Sequence, residues 1–367
     1  MGTSLAYHLA SRGVDVLLLE RDALGSGSTS RNAGGVRQQF SSELNVRIQM
    51  LAVRMLERFQ AEVGVSAEFR QIGYLFLLTR PQQVEDFRAD MEMWHRIGLT
   101  EATWLSAEEA AARVPGLMVD DVLGCTFCPT DGIASPDAVT MGYAAAAKRH
   151  GARLREGATV TGVDIAGGRV AGVRTATGDV ATRALVCAAG PWSAEIGKLA
   201  GVAVPVSPYR RHIWVTGPLP EMPRNAPMTV ELLSTFYFHP EGDGLLFGMS
   251  DRSEPPTFST QVSQTFAETA FEVALRRLPA IDKAGIKTAW AGLYETTPDH
   301  QAILGPSLEV EGFWCACGFS GHGFMQAPAA GLLLTQLLVD GRSEIDISAF
   351  SPERFARGGL VAERNVI

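Results

Sequence analysis

The chain begins MGTSLAYHLASRGVDVLLLER, and that stretch constrains the fold more than any other. After Gly2 come Leu5, Ala6, Leu9 and Ala10 at helical spacing, and Arg12-Gly13 is a stop signal. Val14 to Leu19 then reads as a buried parallel strand, being an almost unbroken apolar run. Glu20 closes that strand roughly 20 residues beyond the glycine turn, where an acidic side chain accepts the ribose hydroxyls of a dinucleotide. This is the second half of a βαβ dinucleotide-binding unit. Gly2 takes the place of the third glycine of G-x-G-x-x-G, the one that lets helix and strand pack closely. The first strand and the first two glycines do not precede it. Met1 is therefore expected to be an internal methionine of a longer protein, because the first strand is central in such sheets and unpaired central edges are costly. The alternative is a poorly folded, cofactor-free fragment.

Downstream, two kinds of segment alternate. Residues 45–63 have apolar side chains at three- and four-residue spacing and read as helix. Residues 70–80 (RQIGYLFLLTR) read as a strand, and 81–115 as two amphipathic helices, the second following Ser106 with Glu108 and Glu109 in its first turn. In 131–154, Ser135-Pro136 and Gly151 are the start and stop of a helix that leads into a strand. Residues 159–190 are short strands with glycine turns, ending in a buried strand from Ala184 to Ala188. Residues 205–250 are strand-rich and 263–278 helical. The α/β pieces lie at both ends and in the middle, so one discontinuous nucleotide domain with an inserted second domain is expected.

Composition narrows the function. At 367 residues, 46% apolar and 20% charged, the chain can bury two cores. A net charge of −8 and no Lys/Arg-rich run argue against a nucleic-acid partner. No apolar run approaches the ~20 residues of a membrane span. No secretory signal is recognisable at the start, and five cysteines are sparse and odd in number, so a reducing, cytoplasmic setting is expected. Cys125-Thr-Phe-Cys128 lacks a second ligand pair and is read as structural; no metal site is expected.

Three glycine-rich turns follow strands and precede helices: Ala23–Gly35, Ala188–Ser193 and Gly318–Gly323. Helix starts offer unpaired N–H groups and partial positive charge, and glycine lets a flat ligand approach the backbone. Three such turns plus the Glu20 strand fit a large two-part cofactor held at several points.

The motifs LLLERDALGSGSTSRNAGG, VCAAGPWS, WAGLYETTPDHQAILG and CGFSGHGFMQAPAAG resemble the FAD-dependent amino-acid oxidase (DAO) superfamily. The similarity is strongest to its sarcosine-oxidase β-subunit and dimethylglycine-dehydrogenase branch, and it covers nearly the whole chain. It implies an α/β (α+β) two-domain fold. Residues 1–70, 135–205 and 290–367 would form a discontinuous Rossmann-like FAD-binding domain without its first strand. Residues 71–134 and 206–289 would form a substrate-binding domain with a mixed or antiparallel sheet.

The same resemblance implies residue roles. Glu20 binds the adenosine ribose beside Arg21, and Gly2 starts the first helix. Ser28 and Thr29, with the run Arg31, Asn32, Ala33, Gly34 and Gly35, pass the pyrophosphate and the flavin edge. Val160 meets the adenine through its backbone, and Ala189, Gly190 and Trp192 lie by the pyrophosphate and ribityl chain. Gly321, His322, Gly323 and Phe324 cap the pyrimidine end of the ring, with Met325 next to them. Backbone donors there would stabilise negative charge on the reduced ring.

By the same resemblance Arg37 falls where the branch carries an arginine for the substrate carboxylate, which a guanidinium matches bidentately. Tyr294 would line the same cavity, with Tyr237 and His239 as weaker candidates. His322 is a catalytic candidate, although its glycine-turn setting favours shaping the cap. Asp299 is equally a turn former.

Departures from the branch also carry implications. Relatives tether the flavin through a histidine or a cysteine, and the matching positions here are Arg31 and Gly292, so non-covalent FAD is expected. Lysines placed over the ring in oxidases correspond to Leu246 and Met325, which favours a dehydrogenase. The implied activity is oxidation of a secondary or tertiary amino acid, of the sarcosine, dimethylglycine or proline kind, by hydride transfer to flavin N5 followed by imine hydrolysis. Two alternatives stay open: a non-catalytic FAD-binding assembly or scaffold protein, and an oxidase of the D-amino-acid or glycine type that produces hydrogen peroxide. The implied partners are an amino-acid substrate and an electron acceptor or hetero-oligomer partner.

Overall fold

A computed structural model describes residues 1–358 and 360–367. The opening helix, Gly2–Ser11, packs on Pro136–Arg149 and Gly323–Asp340. Small residues allow the close approach: Ala6, Ala10, Ala147 and Ala152 form one buried cluster. Gly331 leaves room for Ser4, whose Oγ would lie 2.3 Å from a Cβ at that position. Ser4 Oγ donates to the Ala327 carbonyl at 2.8 Å, so the buried hydroxyl is satisfied.

The strand after this helix is shorter than its apolar run predicts. Only Leu17–Leu19 pairs, parallel to Arg153–Arg155, and it is half-buried rather than buried. The Val14 amide instead bonds back to the Leu9 carbonyl at the helix exit. The other edge of Leu17–Leu19 has no neighbour among the described residues. Leu185–Cys187, expected to span 184–188, likewise pairs on one side only, parallel to Phe313–Cys317, which pairs antiparallel with Ile303–Pro306. Gly2 lies between these two one-sided strands: a Cβ there would stand 3.5 Å from Leu18 and 3.8 Å from Ala188. A slot therefore separates the two short sheets.

The second layer is an eight-stranded mixed sheet. Its order is Ile286–Thr296, Ser207–Thr216, Gly244–Met249, Phe236–Glu241, Met228–Glu231, Tyr74–Leu78, Gly124–Cys128 and Thr103–Leu105. Only Met228–Glu231 and Tyr74–Leu78 run parallel. Every residue of Tyr74–Leu78 is buried, because both faces of the sheet are covered. Tyr74, Phe76 and Leu78 join a core with Phe87 and Trp94, while Leu75 and Leu77 join one with Trp214, Phe238 and Phe247. This is the two-residue alternation of a strand sorting side chains between two cores. The 81–115 region contains the two expected helices, Pro81–Arg96 and Ala107–Arg113, with the edge strand Thr103–Leu105 between them. Ser106 and Ser135 cap their helices as their positions predict, accepting from the Glu109 and Ala138 amides.

The longest strand, Ile286–Thr296, pairs with Ser207–Thr216 from Ser207↔Thr296 to Val215↔Thr288. It starts in the large sheet and ends beside the glycine turn that precedes Gly323–Asp340. This strand positions most of the polar end of the site.

Candidate active site

A cavity of ≈ 840 Å³ runs from the Leu17–Leu19 strand, past the start of the first helix, to the inner face of the large sheet. The helices that begin at it, Gly2–Ser11, Ser193–Ala200 and Gly323–Asp340, carry no side-chain cap. The helices after Ser106, Ser135 and Ser263 are capped by those hydroxyls. Uncapped starts leave backbone N–H groups free for an anionic ligand. Together with the glycine turns they form an open cradle, which fits a dinucleotide diphosphate.

All the expected cofactor residues line this cavity except Gly34. Gly34 is corrected to a structural role: at φ +72° its missing Cβ would lie 2.5 Å from the Ala134 carbonyl, so it turns the chain against that backbone. At one end, Glu20 accepts from the Asp22 amide at 2.9 Å. Arg21 lies over the Trp192 ring at 4.4 Å, and Val160 closes that end. Between the ends, the Ser28–Gly35 loop is fastened to the longest strand. Ser28 Oγ donates to Leu293 O at 2.8 Å and Arg31 Nη1 to Ala291 O at 3.0 Å, while Trp290 Nε1 donates to Arg31 O at 3.1 Å. Asn32 braces the loop from inside, donating to Thr29 O and accepting from the Gly34 amide.

At the far end Arg37 is buried at 1% exposure. Its loop is held by Asp131, which accepts from the Gln38 amide and from the side chains of Gln38 and Gln39. Burial raises the Asp131 carboxyl to about 6. The Arg37 fork is largely engaged: Nη1 donates to Gln39 O at 2.6 Å, and Nη2 contacts Asn365 O and His322 Nε2. Burial, and then the Arg37 charge, push His322 well below its ordinary range, so its ring is a neutral acceptor. Tyr294, Tyr74 and Tyr237 complete the wall, and burial raises all three phenols. Gly321, at φ +98°, lets the turn pass the Tyr294 ring, which a Cβ would meet at 2.3 Å.

Three residues here escaped the sequence reading. Tyr74 lines the cavity from the buried strand beside Arg37. Glu295 accepts from the Gly318 amide at 2.9 Å, and burial raises its carboxyl to about 7. Arg211 projects from Ser207–Thr216 opposite Gly292. A charged pair, Arg210-Arg211, inside a strand-like run was the available signal, since alternation sends one of the two inward.

Other candidates stand elsewhere. His239 is outside the lining and sits 3.0 Å from the Ala33 carbonyl, so it supports the loop from behind. Asp299 bonds Arg354 at 2.7 Å and is buried, a structural pair. Leu246 is buried in the large sheet, and all five cysteines are free and buried. Among the described residues no cluster of three or more His, Cys, Asp or Glu could hold a metal, and no helix is long and apolar enough to cross a membrane.

A family model described as DAO, FAD dependent oxidoreductase, matches residues 1–337. Human mitochondrial sarcosine dehydrogenase is 31% identical over 97% of the chain, and mouse mitochondrial dimethylglycine dehydrogenase is also 31% identical over 97%. The chain spans only 40% and 43% of the length of these two relatives. The crystal structure of an L-proline dehydrogenase from P. horikoshii superposes with a TM-score of 0.92 at 33% identity, covering 98% of this chain and 96% of that one.

Proposed function

Since the chain belongs to the DAO family of FAD-dependent oxidoreductases, we propose that it oxidises the C–N bond of a secondary or tertiary amino acid of the sarcosine, dimethylglycine or proline kind. One observation carries the reading: a single cavity joins uncapped helix starts and glycine turns to an aromatic wall beside the buried Arg37. The first part suits a dinucleotide and the second a small amphipathic carboxylate. FAD, when bound, would supply the two-electron oxidation.

The protein's own share is binding, orientation and exclusion of water. Glu20 and the helix starts would hold the adenosine and diphosphate. The Ser28–Gly35 loop and the Gly321–Met325 turn would flank the ring. Tyr74, Tyr237 and Tyr294 keep the substrate end apolar, so an amine arriving there sheds water and is favoured in its neutral, reactive form. His322, held as an acceptor by Arg37, shapes the cap and carries no proton to the substrate.

Non-covalent FAD is supported by Arg31 and Gly292, which face each other. A Cβ at Gly292 would stand 3.0 Å from Arg31 Cβ, and neither residue is a nucleophile for the ring. Dehydrogenase rather than oxidase chemistry is supported by Met325 in the cavity wall and Leu246 in the sheet core. Free buried cysteines are consistent with a reducing compartment.

The test is a visible spectrum of the protein beside a version extended at its N-terminus by a strand and a G-x-G turn. Sarcosine, dimethylglycine and proline are each added under nitrogen. Bleaching by any of them supports the oxidation. A yellow protein that none of the three bleaches overturns it.

A further inference from the structure

Residues 361–367 have no regular secondary structure, and such a stretch is poorly ordered unless it is tied down. Here it is fastened on three sides. Glu363 is 1% exposed. Its carboxylate accepts from the amides and hydroxyls of Ser41 and Ser42 and from Asn45 Nδ2, at the start of the helix Glu43–Glu57, where an anion is favoured. Arg364 reaches outward to Asp86 and Asp90 of Pro81–Arg96, at 3.0 and 2.7 Å. Asn365 is 2% exposed; its side chain donates to Asp90 at 3.2 Å and its carbonyl accepts from Arg37 Nη2. A tight turn, from Val366 N to Arg364 O at 2.9 Å, precedes Ile367. Ile367 lines the cavity and packs on the core that holds Phe40, Tyr74 and Tyr237. Fastening accounts for Glu363, Arg364 and Asn365, but it does not call for an apolar side chain in the cavity wall.

We propose that this strap is the closing wall of the substrate end, and that Ile367 sets the largest amino acid the cavity admits. The proposal rests on the amino-acid reading above and adds a size limit to it. The bond from Arg37 places the strap: it falls on Asn365, two residues before Ile367, so the two Cα atoms stand within about 7 Å of each other. Ile367 is therefore at the end of the cavity where Arg37 and the tyrosines lie, away from Glu20 and Val160. Two features make the wall a limit rather than a soft boundary. The backbone in front of Ile367 is held by buried bonds and cannot retreat. The side chain is β-branched and stiff at χ1, so it does not swing aside for a larger ligand as a methionine would. A wall of this kind discriminates by about 10-fold or more for each methylene that does not fit.

The test is equilibrium binding to the flavin-loaded protein, read by calorimetry and by the shift of the flavin spectrum. Pyrrole-2-carboxylate and the larger indole-2-carboxylate, which adds a fused ring, are titrated into wild type, I367A, I367W and D90A. Wild type should prefer the smaller ligand. I367A should raise the affinity for the larger one about 10-fold or more while leaving the smaller one and the ligand-free spectrum nearly unchanged. I367W should weaken both. D90A removes the bonds to Arg364 and Asn365 from outside the cavity, and it should shift the ratio in the same direction as I367A. An I367A ratio equal to that of wild type overturns the size limit, as does a wild type that binds neither ligand or binds both equally. A D90A ratio equal to that of wild type overturns the role of the strap. If I367A retains no flavin, the comparison moves to I367V, where an unchanged ratio overturns the proposal. The expected shift in ratio with no bleaching by any amine leaves the wall standing and removes the oxidation. Bleaching by an amine with an unshifted ratio does the reverse.

Discussion

Arg37 Nη2 lies 3.1 Å from His322 Nε2, so a buried guanidinium donates to an imidazole that must stay neutral to accept it. Phe40 closes the pair, edge-on to His322 with ring centroids 4.8 Å apart and 4.1 Å from the guanidinium. The link joins the Arg37 loop to the start of the Gly323–Asp340 helix.

His322→Ala should therefore leave a buried N–H without an acceptor and cost about 1–3 kcal/mol of stability, measured by urea unfolding. His322→Gln, which can still accept, should recover part of it. The pH dependence has a defined sign. The unfolded ring takes a proton below its ordinary 6.5, while the folded ring resists to a much lower pH. Stability should fall as pH drops below 6.5, and the Gln variant should lack that component.

Glu295 works in the opposite direction. Burial raises its carboxyl from 4.5 to about 7. Between those values the folded protein keeps a proton that the unfolded chain has released, so this group's contribution is lost as pH rises through the window. Glu295→Gln should be more stable than wild type above pH 7 and show a flatter slope between 4.5 and 7 in thermal unfolding. An unchanged slope would contradict the placement of the carboxyl.

Gly321→Ala should damage the cavity from its backbone side. The position has φ +98°, and the added methyl would collide with Tyr294. Strain of about 1–3 kcal/mol is expected. Part would be relieved by swinging the ring away, so flavin retention on gel filtration should drop.

Asp299→Asn separates turn chemistry from active-site chemistry. Asp299 is 1% exposed and paired with the largely buried Arg354. Removing its charge should cost about 3–5 kcal/mol, as for other broken buried pairs. The rate of amine-driven flavin bleaching in the surviving folded fraction should not change.

Much of the cavity's glycine-turn lining was legible in the sequence. Gly2, Glu20, Gly190 and Gly321 sit at turns whose chemistry is local, and Ser106 and Ser135 announce their helices through side-chain bonds to their own backbones. Arg211 and Tyr74 were not legible in this way. Each meets the site only because distant strands pair in one register, which short-range spacing does not encode. The reduced extent of the Val14–Leu19 run has the same origin. An apolar run reports suitability for burial, but a strand forms only where a neighbour supplies hydrogen bonds. Gly34 was over-read because it shares a glycine-rich run with residues that do face the cavity.

The ladder between Ser207–Thr216 and Ile286–Thr296 has a mechanical consequence. It carries Arg211 and Tyr294 on an unbroken run of backbone pairs, from Ser207↔Thr296 to Val215↔Thr288, that also belongs to the large sheet. Swinging the sheet away from the glycine turns would shear that ladder along its length. Entry to the substrate end then falls to rotation of the Tyr74, Tyr237 and Tyr294 side chains, which are enclosed in a packed wall, rather than to movement of the sheet. A stiff spine of this kind keeps Arg211 and Tyr294 in fixed register whatever the side chains around them do.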